Sequence, residues 1–475
     1  MQRRRIGVIG LAWVMAGCAD AGSDPQAATD GDGSGGADTS AGTEDGGEAS
    51  TGESTGGDAD ARPNWHEDIA PLVATHCRSC HSDGKLAFSM DDYEDAKVWA
   101  GSMAAQTQLR LMPPWHAVET DGCTPPAPFE HDARLEQAEI DAFAAWADLG
   151  APQGDPAKAA PLPEPPSIDL ADPNVIVPMG AEITVEGDGA TLDYFHCLSF
   201  DPGHDQTVYV DGLQVVPGNA TILHHVLIFV DEQADSASWP DGVLHDCGGG
   251  GGIDQPRLVG GWVPGGMPIE PPEDVGIVLP AGARIVFNVH YHASPMGPES
   301  DDTTAIALRW TTTPPQWVSQ LTLLGAPGLG DSVTGDFVIP AGATGHEEAL
   351  RWTVPASAGN EVRLWSIGHH MHKVGVDART TLTRAGGDTE CLLQTPRWDF
   401  GWQRLYEYDR AIEDTVALAP GDSIEVRCAY DNALSNPQVV AALAEVGQSE
   451  PHDVVLGEGS LDEMCIAGVG LAARP

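Results

Sequence analysis

The sequence predicts a mainly β protein: two tandem antiparallel β-sandwiches of jelly-roll type, preceded by a small α-helical module. Three observations carry that expectation. Glycine and proline supply 56 and 37 of the 475 residues, so turns are frequent and long amphipathic helices are scarce. From about residue 175 onward, short runs rich in β-branched residues alternate with Pro-Gly, Gly-Asp and Asn-Ala turns; strands are expected at 206–210, 221–230, 284–290, 304–310, 362–367 and 423–428. Residues 62–155 instead carry helical spacing, at Ile69, Leu72 and Val73 and again at Glu139, Ile140, Phe143 and Trp146. Some 300 strand-rich residues fill two sandwiches, 175–315 and 316–475, which meet near Pro314-Pro315. A Pro-rich linker, 156–174, separates them from the helical module.

Composition narrows the function classes. A hydrophobic share of 41% fills real cores and excludes a wholly disordered chain. The formal charge of −48 argues against a nucleic-acid backbone or an anionic membrane as the main partner. Residues 1–17 run from three arginines through an apolar stretch too short to span a bilayer, the pattern of an export signal. Val14-Met15-Ala16-Gly17-Cys18 resembles a bacterial lipobox, with Cys18 as the lipidated terminus. Residues 19–61 hold no Lys, Arg or aromatic residue and eleven acidic ones, which reads as a flexible tether reaching about 35–40 Å. An exported, membrane-anchored lipoprotein of a bacterial cell envelope, in the periplasm or on the outer-membrane surface, is expected, in a compartment that permits disulfides.

Within the helical module lies Cys77-Arg78-Ser79-Cys80-His81. Two thiols at this spacing suit covalent haem attachment, and the next imidazole suits iron ligation from one side. Half a zinc site or a redox Cys-x-x-Cys are the rival readings, and no second cysteine pair of comparable spacing is nearby. Met112, in Met112-Pro113-Pro114-Trp115, is the leading ligand for the opposite face of the iron, with His116 and His76 as competitors. The stretch resembles the small cytochrome c modules fused to bacterial periplasmic enzymes. Cys123 is left over here, as a structural or solvent-facing residue.

Three histidine groups fall on the strand signals: His224-His225, His290 with His292, and His369-His370-Met371-His372. Residues two apart share a strand face, so His370 and His372 can grip one ion while Met371 points away. Adjacent His224 and His225 can do so only across a bulge or a strong twist. Imidazole suits copper, zinc, iron and nickel, and a thioether shifts the preference towards copper.

From about Tyr194 to the C-terminus the chain resembles the type II copper, ascorbate-dependent monooxygenases, the family of peptidylglycine α-hydroxylating and dopamine β-monooxygenases. The His-His pair is matched at His224 and His225, the Val-His-Tyr strand at His290, the His-x-His-x-x-Gly at His370, His372 and Gly375, and Asp-Glu-Met-Cys at 462–465. Asp399-Phe400 and residues 337–342 and 421–428 are further matches. The resemblance implies two copper ions, an electron-transferring one at His224, His225 and His290 and an oxygen-binding one at the catalytic set His370, His372 and Met464. It also implies disulfides Cys428–Cys465 and Cys197–Cys247, and leaves Cys391 without a recognised partner. The family's substrate-clamping arginine is replaced by Gly368, and Ile466, Ala467 and Gly468 stand where residues assisting peptide binding are expected, so a peptidyl-glycine substrate is disfavoured.

The activity that this resemblance implies is hydroxylation of a C–H bond of a small organic substrate by O2. Electrons are expected from an ascorbate-like reductant or a periplasmic redox protein, through one haem c and the second copper. The alternative is a non-catalytic exported electron-transfer or copper-binding lipoprotein. A surface capture module would instead need an exposed aromatic groove, for which Trp262, Trp398 and Trp402 are candidates, although core packing suits each of them better. His292 and His369 are extra imidazoles, as donors behind the ligands, spare ligands or polar surface.

Overall fold

The computed structural model describes residues 62–474 apart from 84, 86, 187–192, 241–242, 248–249, 264–265, 295–296, 326–329, 359–360, 446 and 458–461. The export signal, Cys18 and the tether lie outside the described residues. No helix among the described residues is long and apolar enough to cross a membrane.

The helical module forms where the 3.6-residue pattern placed it. A wide turn at Trp65–Ile69 runs into the helix Ala70–His76, and Tyr93–Lys97, Ala100–Gln108 and Gln137–Asp148 complete the set. Glu136 and Glu139 close a reciprocal capping box that starts the last helix. Its apolar face, Ile140, Phe143 and Trp146, packs against Trp65, Ile69 and Val73. Trp146 is fully buried, and its indole donates to the Pro152 carbonyl at 3.0 Å.

The remainder is built on strands, and all six expected strands are present, within two residues at their starts. A five-stranded sheet orders His245–Asp246, Asp193–Phe200, Arg284–His292, Leu223–Asp231 and Arg257–Trp262. A second orders Asp331–Ser332, Thr344–Thr353, Ser423–Asp431, Gly375–Thr383 and Thr389–Thr395. Both pack on one nine-stranded sheet that runs through the two halves. The halves are thus joined rather than merely adjacent. Past Pro314-Pro315, Trp317 and Val318 pair in parallel with Val275 and Gly276, so the strand Trp317–Leu324 extends the first half's sheet instead of beginning a new one. Buried Trp317, Trp365 and Ala472 of the second half accordingly belong to the first half's core.

Residues 115–129 also depart from the simple plan. Trp115, Ala117, Ala127 and Phe129 leave the helical core and join that of the second β half. Cys123, 2% exposed, bonds Cys391 on the strand Thr389–Thr395, which gives both leftover cysteines a partner. The Pro-rich stretch is pinned as well as extended, since Gln214 accepts from Leu170 N at 2.7 Å and donates to the Ile168 carbonyl at 2.8 Å.

Candidate metal centres and haem motif

The first histidine group is assembled by sheet register. His225 and His290 are cross-strand partners, and the pairing between Leu223–Asp231 and Arg284–His292 slips between Leu223 and His225. The slip makes His224 the bulged residue, so two successive side chains turn to one side. The Nδ1 atoms of His224, His225 and His290 lie 3.2 Å from one another on all three edges. Three ring nitrogens cannot all satisfy each other by hydrogen bonding, because each offers one site directed in the ring plane. A cation seated over such a triangle lies about 2 Å from each nitrogen, the length of a metal–imidazole bond. Phe195 stacks on His290 at 4.1 Å between ring centroids and shields that side. Buried His292 follows His290 on the same strand.

The second group is assembled from separate segments. The strand Val362–His370 ends at His370, so His372 follows it rather than sharing it. The rings of His370 and His372 nevertheless face one another, 5.1 Å apart. His370 Nδ1–H donates to Gln403 Oε1 at 2.6 Å, and His372 Nδ1–H donates to the Asp462 carbonyl at 3.0 Å. Both bonds fix the tautomer that leaves Nε2 as the metal-facing lone pair. Nε2 of His370 is buried with no hydrogen-bond partner among the described residues, as a ligand position requires. Burial pulls the His370 pKa down to about 4, with the Gln403 bond opposing, so the ring is neutral at physiological pH. Met464, 4% exposed, stands with Leu323 and Ile466 in a small apolar cluster.

The backbone around these ligands is over-determined. Glu463, fully buried, accepts from His372 N, from Val374 N at 3.2 Å and from Met464 N at 3.0 Å. One carboxylate therefore clamps the His372 loop to the segment carrying Met464. Burial pushes its pKa up to about 8 against the pull of those backbone donors. Trp398 Nε1 donates to the His372 carbonyl at 3.1 Å, and Tyr430 OH to the Met464 carbonyl at 2.8 Å. Cys428–Cys465 locks the residue after Met464, and Cys197–Cys247 ties the strand Asp193–Phe200 to residue 247. At Gly375 an added Cβ would sit 2.8 Å from Met371 Cβ, so the buried Met371 side chain demands glycine there. At Gly368 it would sit 2.4 Å from the Arg404 carbonyl, so the crossing chain leaves no room for a clamping side chain.

Phe400 neighbours both groups, with its ring centroid 5.9 Å from His224 and 6.1 Å from His372. Those two imidazoles are therefore no more than 12 Å apart. His369 turns the other way. It is buried between Thr395 Oγ1 at 2.9 Å and Thr380 Oγ1 at 2.8 Å, and burial takes its pKa down to about 3. It is a hydrogen-bonded core residue. Trp262, 6% exposed, is also core, and Trp398 serves His372, so neither lines an exposed groove.

In the helical module, Cys77 and Cys80 are free thiols, and burial pushes Cys77 up to about 12 with Cys80 adding to the rise. His81 Nδ1–H donates to the Phe88 carbonyl at 3.1 Å, the bond that would orient Nε2 towards an iron. His81 meets Phe88 edge-on at 4.6 Å, and Phe88 stacks on Trp99 at 4.0 Å. Phe88, Val98, Trp99, Leu109, Leu111 and Met112 are all exposed, an unusual concentration of large apolar side chains in one small module. Of the competitors for iron, His76 is otherwise engaged, its Nε2 pairing with Glu139 at 3.3 Å.

Fold and donor set thus define a β-rich protein with two histidine centres suited to a redox metal. Known proteins share parts of this chain. Residues 338–469 match the family described as Copper type II ascorbate-dependent monooxygenase, C-terminal domain, a stretch that contains His370, His372, Met464, Cys428 and Cys465. The mouse (Mus musculus) DBH-like monooxygenase protein 2 is 25% identical over 232 residues, covering 46% of this chain. The aligned part spans only 35% of that relative's length. Both matches support the copper type II monooxygenase family. Among solved structures, the major capsid protein P2 of bacteriophage PM2 (TM-score 0.26, 10% identity, 60% of this chain and 98% of that one) and the VP2 subviral particle of infectious bursal disease virus (TM-score 0.17, 10% identity, 66% and 74%) fall short of a shared fold.

Sequence reasoning named the ligand sets and Asp462-Glu463-Met464-Cys465, but gave Glu463 no role and passed over Gln403 and Arg404. A lone Gln or Arg in a loop carries no periodic or spacing signal.

Proposed function

We propose that this chain is an exported copper monooxygenase that hydroxylates a C–H bond of a small organic substrate. Substrate, O2, two electrons and two protons give the alcohol and one water. The observation that carries the reading is the donor arrangement: three imidazoles at His224, His225 and His290 and a second pair at His370 and His372, both groups neighbouring Phe400, with Met464 as the thioether candidate in the matched stretch. Copper at the second set would supply O2 activation, and copper at the first would supply one-electron transfer. The protein's own part is positional. Gln403 and Asp462 hold the imidazoles in the ligating tautomer, Glu463 holds the backbone, and Phe400 packs near a ring of each group.

A haem c held by Cys77, Cys80 and His81, with Met112 as the further ligand candidate, would give the chain its own electron store. An ascorbate-like reductant or a periplasmic redox protein fills it. Cys18 and the acidic tether hold the enzyme to a cell-envelope membrane through a lipid anchor only, with no nucleic-acid partner. Metal and haem analysis of the purified chain, followed by stopped-flow mixing of the reduced protein with O2, tests the reading. About two coppers per chain and haem reoxidation that depends on copper are the expected results. Zinc alone, or turnover that survives Met464→Ala, would overturn it. Metals without substrate-coupled O2 consumption would favour the electron-transfer or copper-binding alternative.

A further inference from the structure

The contact between the helical module and residues 399–406 of the second β half contains one buried donor that lacks an acceptor and, beside it, a half-buried guanidinium. The Arg404 guanidinium lies over the Trp115 ring at 4.9 Å and near Tyr406 at 6.0 Å. No hydrogen bond or ion pair joins it to any group among the described residues. Glu407 and Asp132, the acidic groups that face it, act on it only through space. Trp115, 3% exposed, leaves its Nε1–H buried without a partner. An indole N–H left buried and unpaired is costly, and the partly exposed guanidinium beside it is held by no protein acceptor among the described residues. The same chemistry answers both: an anion with two oxygens, of which Arg can hold one or both and the indole can reach one.

The haem motif adjoins this pair. Cys80 and Arg404 are close enough for the guanidinium's charge to act on the thiol, after burial and Ser79. The same two segments are knitted together around the pair. Arg397 Nη1 donates to the Leu109 carbonyl at 2.9 Å, and His116 N donates to Tyr406 OH at 3.2 Å. Haem carries two propionates, and the pair lies on the side of the module that faces the copper-binding half.

We infer that Arg404 and Trp115 form a carboxylate-binding site that takes a haem propionate, so that the copper-binding half itself clamps the haem. The inference rests on the haem c reading of Cys77, Cys80 and His81. It makes residues 399–404 one connector with three contacts: Arg404 on the haem, Gln403 on His370, and Phe400 beside His372 and His224. Arg404 is a positioning residue here, acting on the haem through its propionate.

The test uses the full chain matured in a host that attaches haem c, with the haem midpoint potential measured against pH. In the parent, a propionate held by Arg404 stays ionised and the potential is flat near neutrality. Arg404→Gln is expected to lower the potential, because a positive charge that favours ferrous haem is lost. It should also introduce a pH dependence at about pH 5–7 as the propionate pKa rises. Arg404→Lys should retain most of the parent behaviour. Trp115→Phe keeps the stacked ring and removes only the N–H, so a smaller fall in the same direction is expected even if Arg404→Gln folds poorly. Haem present with potentials and pH profiles unchanged in Arg404→Gln and Trp115→Phe overturns the clamp alone. Unchanged potentials with a raised KM for a carboxylate-bearing substrate assign the site to substrate and overturn the propionate assignment. A matured chain without haem overturns the haem reading, and the clamp with it.

Discussion

In the first histidine group, strand pairing places the imidazoles: His225 and His290 are cross-strand neighbours, and one bulge brings in His224. In the second, a strand end, a loop and a segment nearly a hundred residues later converge, held by Glu463, Gln403, Trp398 and Tyr430. Backbone ladder bonds fix position to within the pleat and need little side-chain support. A site made from loops has no ladder to rely on, and outer hydrogen bonds and a covalent crosslink take its place. The first group is therefore expected to tolerate loss of its surroundings, and the second to depend on them.

The largest test removes ligands. His290→Ala and His372→Ala should each cost about one copper per chain at its own site, and turnover should fall on the order of 100-fold or more in both. Metal analysis with paramagnetic resonance reads which site is lost; loss of both coppers from either variant would mean that the groups are not independent.

Next come the disulfides. Cys428–Cys465 closes 37 residues and Cys197–Cys247 closes 50. Removing either pair as a Cys→Ser double variant should cost about 4 kcal/mol in chemical denaturation. Only the first removal should also release copper, from the set that includes Met464. Equal release from both would erase the contrast between the groups.

Gln403→Leu leaves His370 in place but frees its ring to rotate and change tautomer. A 10–100-fold weaker copper affinity, roughly, is expected at the second site, with the first unchanged in competition titrations against a chelator.

The junction between module and β halves gives a pH signature. Burial, reinforced by Glu130, pushes Glu407 up to about 8 from an ordinary value of 4.5. Folding therefore favours the protonated acid. The stabilisation is complete below about pH 4.5 and is lost as pH rises through about 8, at no more than roughly 1.4 kcal/mol per unit. Glu407→Gln should flatten the decline in melting temperature across that window.

The smallest effect belongs to His369. His369→Gln gives up part of a two-threonine hydrogen-bond pair, at about 1–2 kcal/mol, and should leave copper content and spectra alone. A changed copper spectrum would place His369 among the ligands after all.

Strand spacing located the six strands before any pairing was known, and the demand for a bulge at His224-His225 came from the pleat alone. The Cys123–Cys391 link was not legible, because its partners are 268 residues apart in different predicted domains. Nor was the role of Glu463, whose value lies in the three backbone donors it gathers rather than in any sequence neighbour.

Local periodicity and short spacing, then, determined the helices, the strands, the haem-type motif and the histidine groups on the strand signals, because those depend on side chains a few positions apart. The tertiary structure decided that one sheet runs through both halves, that residues 115–129 pack with the second, and that residues 400–403 touch both histidine groups. Those outcomes depend on burial and pairing between segments far apart in the chain.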